Sequence, residues 1–358
     1  MRFPYDVSYR DAGRLFRHRE TSLAYGALAI ALLAAPFALG PFYLGELTYL
    51  LILSIASLGL MVLKGYSGQV SLGPSAFVAI GAYAHAILLN AGVPFIASLP
   101  LAAAITGLAG ALVGIPAIRV SGLYLAMVTL AFAVIVEHVL VRWKSVTGGF
   151  NGLEVPTPDL FGLRLGSPRG FYFLCLAVLT LLLLALVNLM RGSVGRVLVA
   201  VRESEAASLS LGIWVAGWRV LAFVISSLVL GAAGALMAHH LQFLTPDGFS
   251  LLLSLELVLA VVIGGLGSLR GAIFGAALVG LLPSIISHVK PVLPDRLAKQ
   301  FGIEIFVYGV VLLTVVLFEP MGLNGRWMKI KSFFSSFPFY RRDMHRRVKT
   351  YLASERYK

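Results

Sequence analysis

Glu256, in the stretch LSLELVLAVV, puts a carboxylate well inside a run of apolar residues. Charge in such surroundings is costly and faces a cavity or a partner. Glu256 therefore serves either a solute path or a hydrogen bond to a neighbouring helix. A second group, Gly65-Tyr66-Ser67-Gly68-Gln69-Val70-Ser71-Leu72-Gly73-Pro74, sets glycines, a proline and polar side chains between two apolar runs. Irregular backbone at membrane depth is tolerated only inside protein or against a watery cavity. The pattern predicts a re-entrant or broken element that restarts as a helix near Pro74, whose free N–H groups suit an anionic group. An ordinary loop between two spans is the other reading. His239 and His240 are adjacent, so they do not share a helix face, and no metal site is expected. Paired carboxylates, a Ser/His/Asp set or CxxC in a catalytic context are lacking, and no enzyme is expected.

The elements that position these residues follow from composition. Of the 358 residues 59% are hydrophobic and 13% charged, which excludes an ordinary soluble domain and predicts an all-α polytopic membrane protein. Apolar runs at about 21–40, 47–63, 76–91, 99–118, 121–141, 171–190, 219–240, 251–267, 272–287 and 303–318 give about ten transmembrane or re-entrant helices. The basic segment before the first run is too long for the n-region of a signal peptide, so Thr21 to Gly40 reads as a span. With both termini cytoplasmic, 22 of the 29 Lys and Arg residues fall on the inner side and 7 on the outer side, as the positive-inside rule requires. The net charge of +13 then speaks for topology and anionic lipid, not nucleic acid. Residues 1–20 form a cytoplasmic segment, 21–318 the transmembrane domain with an external loop at 142–168, and 319–358 a basic cytoplasmic tail. Glu137 and His138 read as interfacial anchors. Cys175 has no second cysteine to pair with.

Glycines at four-residue spacing, Gly110 with Gly114 and Gly267 with Gly271 and Gly275, predict close helix packing. The stretch VIGGLGSLRGAIFG is a second interruption, similar enough to the first to suggest an internal repeat. A polar stretch from Gly195 to Ile213, GRVLVAVRESEAASLSLGI, is too polar to span. Its Glu203, Glu205, Ala206 and Ala207 precede Gly212, which can stop a short helix; it reads as a docking element or as an amphipathic linker. No G-x-x-x-x-G-K-[ST] loop is present, because GGLGSLRG lacks the Lys-Ser/Thr ending. Transport driven by ATP therefore needs an ATPase on another subunit.

The ordered set GYSGQVSLG…AFVAIGAYA, SGLYLAMVTLAFAVIV, TGGFNGL, the EAA-like segment and LSLELVLAVVIGGLGSLRGAIFGA resembles the LivM-like branched-chain amino acid ABC transporter permeases, over roughly Leu60 to Leu282. The resemblance implies an importer subunit in a prokaryotic inner membrane. Its partners are a homologous LivH-like permease, two cytoplasmic ATPases that use the ATP and an external solute-binding protein. The chain itself needs no cofactor. By the same resemblance Arg202, Glu203, Glu205, Ala206, Ala207 and Gly212 couple to an ATPase. Thr147, Gly148, Gly149, Asn151 and Gly152 lie on the face the binding protein visits. Gly65, Tyr66, Ser67, Gly68, Gln69, Ser71, Gly73 and Glu256 line the solute path. For a zwitterionic amino acid, the helix start at Gly73 to Ser75 would meet the carboxylate and Glu256 the ammonium. Two departures stand out: Gly212 is five residues after Ala207 instead of four, and Arg270 and Ala272 replace an aromatic and a proline. Urea and short amides are the cargo of close relatives and form the alternative. An ion-driven carrier and a membrane scaffold are the further ones.

Overall fold

The computed structural model of the protein describes residues 19–160, 163–164, 166–289, 306, 308–310, 313–314, 317 and 322–336. The segment before Arg19, most of the 288–302 loop and of the tenth run, and the tail beyond Ser336 lie outside the described residues. The helices are α1 (Arg19–Ala38), α2 (Pro41–Met61), α3 (Pro74–Asn90), α4 (Phe95–Gly114), α5 (Leu123–Arg142), the short α6 (Lys144–Thr147), α7 (Pro168–Arg191), α8 (Ser193–Glu203), α9 (Glu205–Ser210), α10 (Val215–Leu241), α11 (Leu251–Gly264), α12 (Leu269–Val289) and α13 (Gly322–Ser336). The protein is an all-α polytopic membrane protein. Among the described residues seven helices are long and apolar enough to cross a bilayer, and two shorter apolar helices, Gly26–Ala38 and Pro74–Asn90, accompany them.

Helix α10 is the axis of the fold, packed by α2, α3 and α4. Small residues let three neighbours come that close, since lipid offers no hydrophobic drive and contact has to come from packing. A Cβ at Gly231 would overlap the Thr106 side chain of α4, and one at Gly234 the Val78 backbone of α3. On α4, Gly110 faces Ser227 and Gly114 faces Val220, as the glycine spacing predicts. Helix α2 is buried on all sides from Leu50 to Met61, with α7 on one flank and the α11–α12 hairpin on another. In that hairpin Gly271 and Gly275 of α12 press on the backbone of Gly264 and Ala260. The third glycine predicted for this helix face, Gly267, is instead in the turn before α12, with φ 85°. It supplies a left-handed backbone conformation that a side chain resists.

On the 142–168 connection, α6 leads through a 3₁₀ turn at Gly149–Asn151 to β1 (Leu153–Glu154). Strand β1 pairs antiparallel with β4 (Phe243–Leu244), in the register Leu153↔Leu244. A further pair joins β2 (Asp159–Leu160) to β3 (Leu163–Arg164). The β1–β4 pair ties this loop to the end of α10.

Candidate functional site

Helix α2 leaves its regular path in a π turn, Val62–Tyr66, a widening that often marks functional positions. Gly68 turns the chain with φ 74°. From Ser67 to Gly73 the backbone has no regular secondary structure. Ser67, Gln69, Ser71 and Gly73 are buried, while Gly68 is exposed and Val70 and Leu72 are half-buried. The polar side chains of this stretch are thus turned into the protein. The expected broken element is present, and helix α3 restarts at Pro74 in the first-turn position.

Its backbone is satisfied first by its own π turn, where Ser67 N–H donates to Val62 O and Gln69 N–H to Leu63 O at 3.1 Å each, and further along by hydroxyls from remote helices. Leu72 N–H donates to Thr129 Oγ1 on α5 at 2.9 Å, and Ser75 N–H donates to Ser254 Oγ on α11 at 3.0 Å. Ser254 Oγ–H in turn donates to Ser75 Oγ at 2.6 Å, and Gly73 N–H reaches Ser71 Oγ at 3.4 Å. The donors expected to stand free at this helix start are therefore occupied by the chain's own hydroxyls. Gly73 allows the approach, because a Cβ there would overlap the Thr129 carbonyl.

Glu256 lies two residues from Ser254, about 200° further round α11, and is not brought to Gly73–Ser75. Its neighbour is Tyr49 of α2, within side-chain hydrogen-bond reach, with Tyr308 and Glu46 alongside. Glu46 accepts from Ser284 Oγ of α12 at 2.7 Å. Sequence reasoning missed Glu46, because its charge left it just outside the apolar run at 47–63, whereas α2 already begins at Pro41. It also missed His85, which meets His239 with the two Nε2 atoms 2.9 Å apart, packed against Phe95 and Phe171. Among the described residues no group of three or more His, Cys, Asp or Glu could hold a metal ion.

The segment from Gly195 to Ile213, expected from the resemblance to couple to an ATPase, divides at Ser204. Its side chain caps α9, accepting from Ala207 N–H at 3.2 Å. The helix ends as the sequence suggests: Gly212 has φ 76° and Ile213 N–H returns to Ser208 O at 3.0 Å, a Schellman closure. Glu203, Glu205, Ala206 and Ala207 are exposed. Beside them stand Leu209, Leu211 and Trp214, 62%, 78% and 75% exposed. These three apolar side chains were not singled out from the sequence, although their spacing around a short polar helix was readable.

Broken element and coupling segment touch. Arg202 donates to Gly65 O at 2.5 Å. Gln69 Nε2 donates to Ser67 Oγ at 2.5 Å and to Arg219 O at 3.2 Å. Arg219 forms an ion pair with Glu205 and donates to Ile118 O at 3.3 Å. Between them lies a cavity of about 230 Å³, lined by Ser67, Gln69, Ser121, Arg202, Glu205 and Arg219 among others. Tyr66 is half-buried, its phenol against the Leu269 backbone.

In the loop after α5, Thr147 is buried and donates to Leu140 O at 2.6 Å. Gly148, Gly149 and Gly152 all have positive φ. Thr147 and Gly149 thus shape the loop from within, whereas Phe150 and Asn151 are exposed.

Residues 42–317 match the family described as branched-chain amino acid transport system / permease component. The chain is 33% identical over 323 residues to the high-affinity branched-chain amino acid transport system permease protein LivM of Salmonella typhimurium, covering 83% of this chain and 73% of that protein. The Escherichia coli LivM is 32% identical over the same shares. A probable branched-chain amino acid transport permease protein LivH of Methanocaldococcus jannaschii is 26% identical, over 82% of this chain and 95% of that one. No solved structure matches the chain significantly.

Proposed function

Because the chain belongs to the branched-chain amino acid transport permease family, we propose that it is the membrane permease subunit of an ATP-binding-cassette importer of branched-chain amino acids. It is a multi-pass inner-membrane protein with no ATPase of its own. Two cytoplasmic ATPases hydrolyse the ATP, a homologous second permease completes the path, and an external binding protein delivers the solute. The observation that carries this reading is the family match across residues 42–317.

Orientation follows from the positive-inside distribution: both termini and the 191–219 segment face the cytoplasm and 142–168 faces outward. The ATPase docks on Glu205 to Gly212, where Leu209, Leu211 and Trp214 give an apolar patch that water does not favour. Phe150 and Asn151 offer the binding protein its contact, on a loop shaped by Thr147, Gly148, Gly149 and Gly152. The solute path runs along Gly65 to Gly73. A zwitterion must have both charges compensated or hydrated in a low-dielectric site. Hydroxyls of Ser71 and Ser75 meet the carboxylate in place of free N–H groups, with Ser254 holding Ser75 in place, and Glu256 meets the ammonium at a separate point of the path.

The test is uptake of leucine and of urea into vesicles that contain all partner subunits. Leucine uptake should require ATP and the binding protein, and urea should not enter. Glu256→Gln should lower leucine uptake at least about tenfold with assembly retained, the range expected for a charge-assisted hydrogen bond. Normal leucine uptake by that variant removes the ammonium role. Uptake of urea alone moves the protein to the amide branch, and gradient-driven uptake by this chain alone overturns the importer reading.

A further inference from the structure

Arg202 occupies a place that no docking role explains. It is the last residue but one of α8, whose Leu198 and Val201 are buried, and its side chain, about a third exposed, runs along the first interruption. The stem lies over Gly68, where a Cβ would sit 2.6 Å from Arg202 Cγ. Its guanidinium then bonds two groups and lies beside a third. Nη1 donates to Gly65 O at 2.5 Å, a carbonyl of the π turn that ends α2. The same nitrogen is 3.4 Å from the Cβ position of Gly267, in the second interruption. Nε and Nη2 donate to Glu203 Oε1 at 3.2 and 2.5 Å.

Those two interruptions abut at this point. A Cβ on Gly65 would come within 2.8 Å of Gly267 N, and the Tyr66 phenol meets the Leu269 backbone. At this meeting the guanidinium bonds the first interruption through the Gly65 carbonyl and lies against the second at Gly267, while its remaining donors are taken by Glu203; a single point donor could not span these positions. On the other side, α8 passes through Glu203 to α9 by way of one extended residue, Ser204, with φ −159° and ψ 112°. Displacement of α9 therefore has a path to the meeting of the interruptions through Ser204, Glu203 and Arg202, beside the one through Glu205 and Arg219.

Resting on the importer reading above, we propose that Arg202 is the positioning residue through which displacement of the coupling segment parts and rejoins the two interruptions at the inner end of the solute path. Its role is the conversion of ATPase motion into opening, not ATPase docking.

The experiment compares the unmodified transporter, reconstituted with all partners, with Arg202→Met and Arg202→Lys, measuring leucine uptake and ATP hydrolysis in the same vesicles. Methionine keeps a stem against Gly68 and removes every donor. Uptake should fall at least about tenfold while ATP hydrolysis stays within about twofold, so that transport per ATP collapses; lysine should restore part of it. Uptake and hydrolysis falling together, or transport per ATP unchanged, would overturn the proposal. A second measurement on the unmodified transporter needs no variant. Hydrogen exchange in peptides covering 62–69 and 264–269 should change when the ATPases are trapped with nucleotide. Change confined to 204–213 sinks the relay. Absence of ATP-dependent uptake by the unmodified transporter is a separate outcome, which removes the importer reading and this proposal with it.

Discussion

The two glycine-rich interruptions end one helix, turn on a positive-φ glycine and begin another, yet their backbones are satisfied from opposite directions. Between α11 and α12 the turn is short and self-sufficient. Gly265 and Gly267 carry φ of 105° and 85°, and Ser268 caps its own helix by accepting from Gly271 N–H at 3.0 Å. Between α2 and α3 the chain has no regular structure from Ser67 to Gly73; Ser67 and Gln69 N–H bond back to the π turn, but Leu72 N–H and the Ser75 N–H of the helix start depend on Thr129 and Ser254 of other helices. A locally closed turn survives small shifts of its surroundings. A remotely closed one opens when α5 or α11 moves, which suits the segment assigned to the solute path.

The largest effect expected from this contrast is at the rigid turn. Gly271→Leu puts a side chain where a Cβ already sits 2.6 Å from Gly264 O and 2.8 Å from Gly265 O. Both obstacles are backbone, so the cost belongs at the top of the overpacking range, about 3 kcal/mol. The yield of folded protein and its unfolding midpoint in detergent should both fall. A variant that accumulates normally would show that the hairpin is not the fixed side of the pair.

The next effect is smaller in stability and larger in function. Ser254→Ala strips the partner from the buried Ser75 N–H, at about 1–3 kcal/mol, and Thr129→Val strips it from the half-buried Leu72 N–H, at the low end of that range. Hydrogen exchange should rise in peptides covering 67–75, and uptake should fall further than protein level does. Exchange that rises at 264–271 instead would reverse the assignment of fixed and mobile interruptions.

These capping hydroxyls were not legible in the sequence, for a physical reason. Hydroxyls inside apolar helices ordinarily bond their own preceding turn, as Thr48 does to Leu44 O and Ser54 to Leu50 O. Nothing in LSLELV distinguishes Ser254, which caps a helix 179 residues away. What depends on local chemistry was readable: the apolar runs, the helix start at Pro74, the stop at Gly212 and the Gly110–Gly114 contact. Properties that depend on which helices become neighbours were not: Glu256 finding Tyr49, His85 finding His239, and Arg202 finding the Gly65 carbonyl. The resemblance between the two interruptions was visible as composition. Their difference lay in where each finds its acceptors.

Ser268→Ala is the smallest expected effect and the sharpest control. It removes one helix cap, a loss of about 1 kcal/mol. Beside Ser268, Leu266 is 54% exposed, so water has access to this end of the turn and offsets part of the loss. Tight backbone packing of Gly264, Gly271 and Gly275 remains and keeps the hairpin closed. Leucine uptake per assembled transporter should therefore stay as in the unmodified protein, with at most a slight fall in unfolding midpoint. If uptake per molecule falls as far as in Ser254→Ala, the second interruption moves during transport as much as the first. The asymmetry argued from their hydrogen bonds would then be a property of the resting state alone.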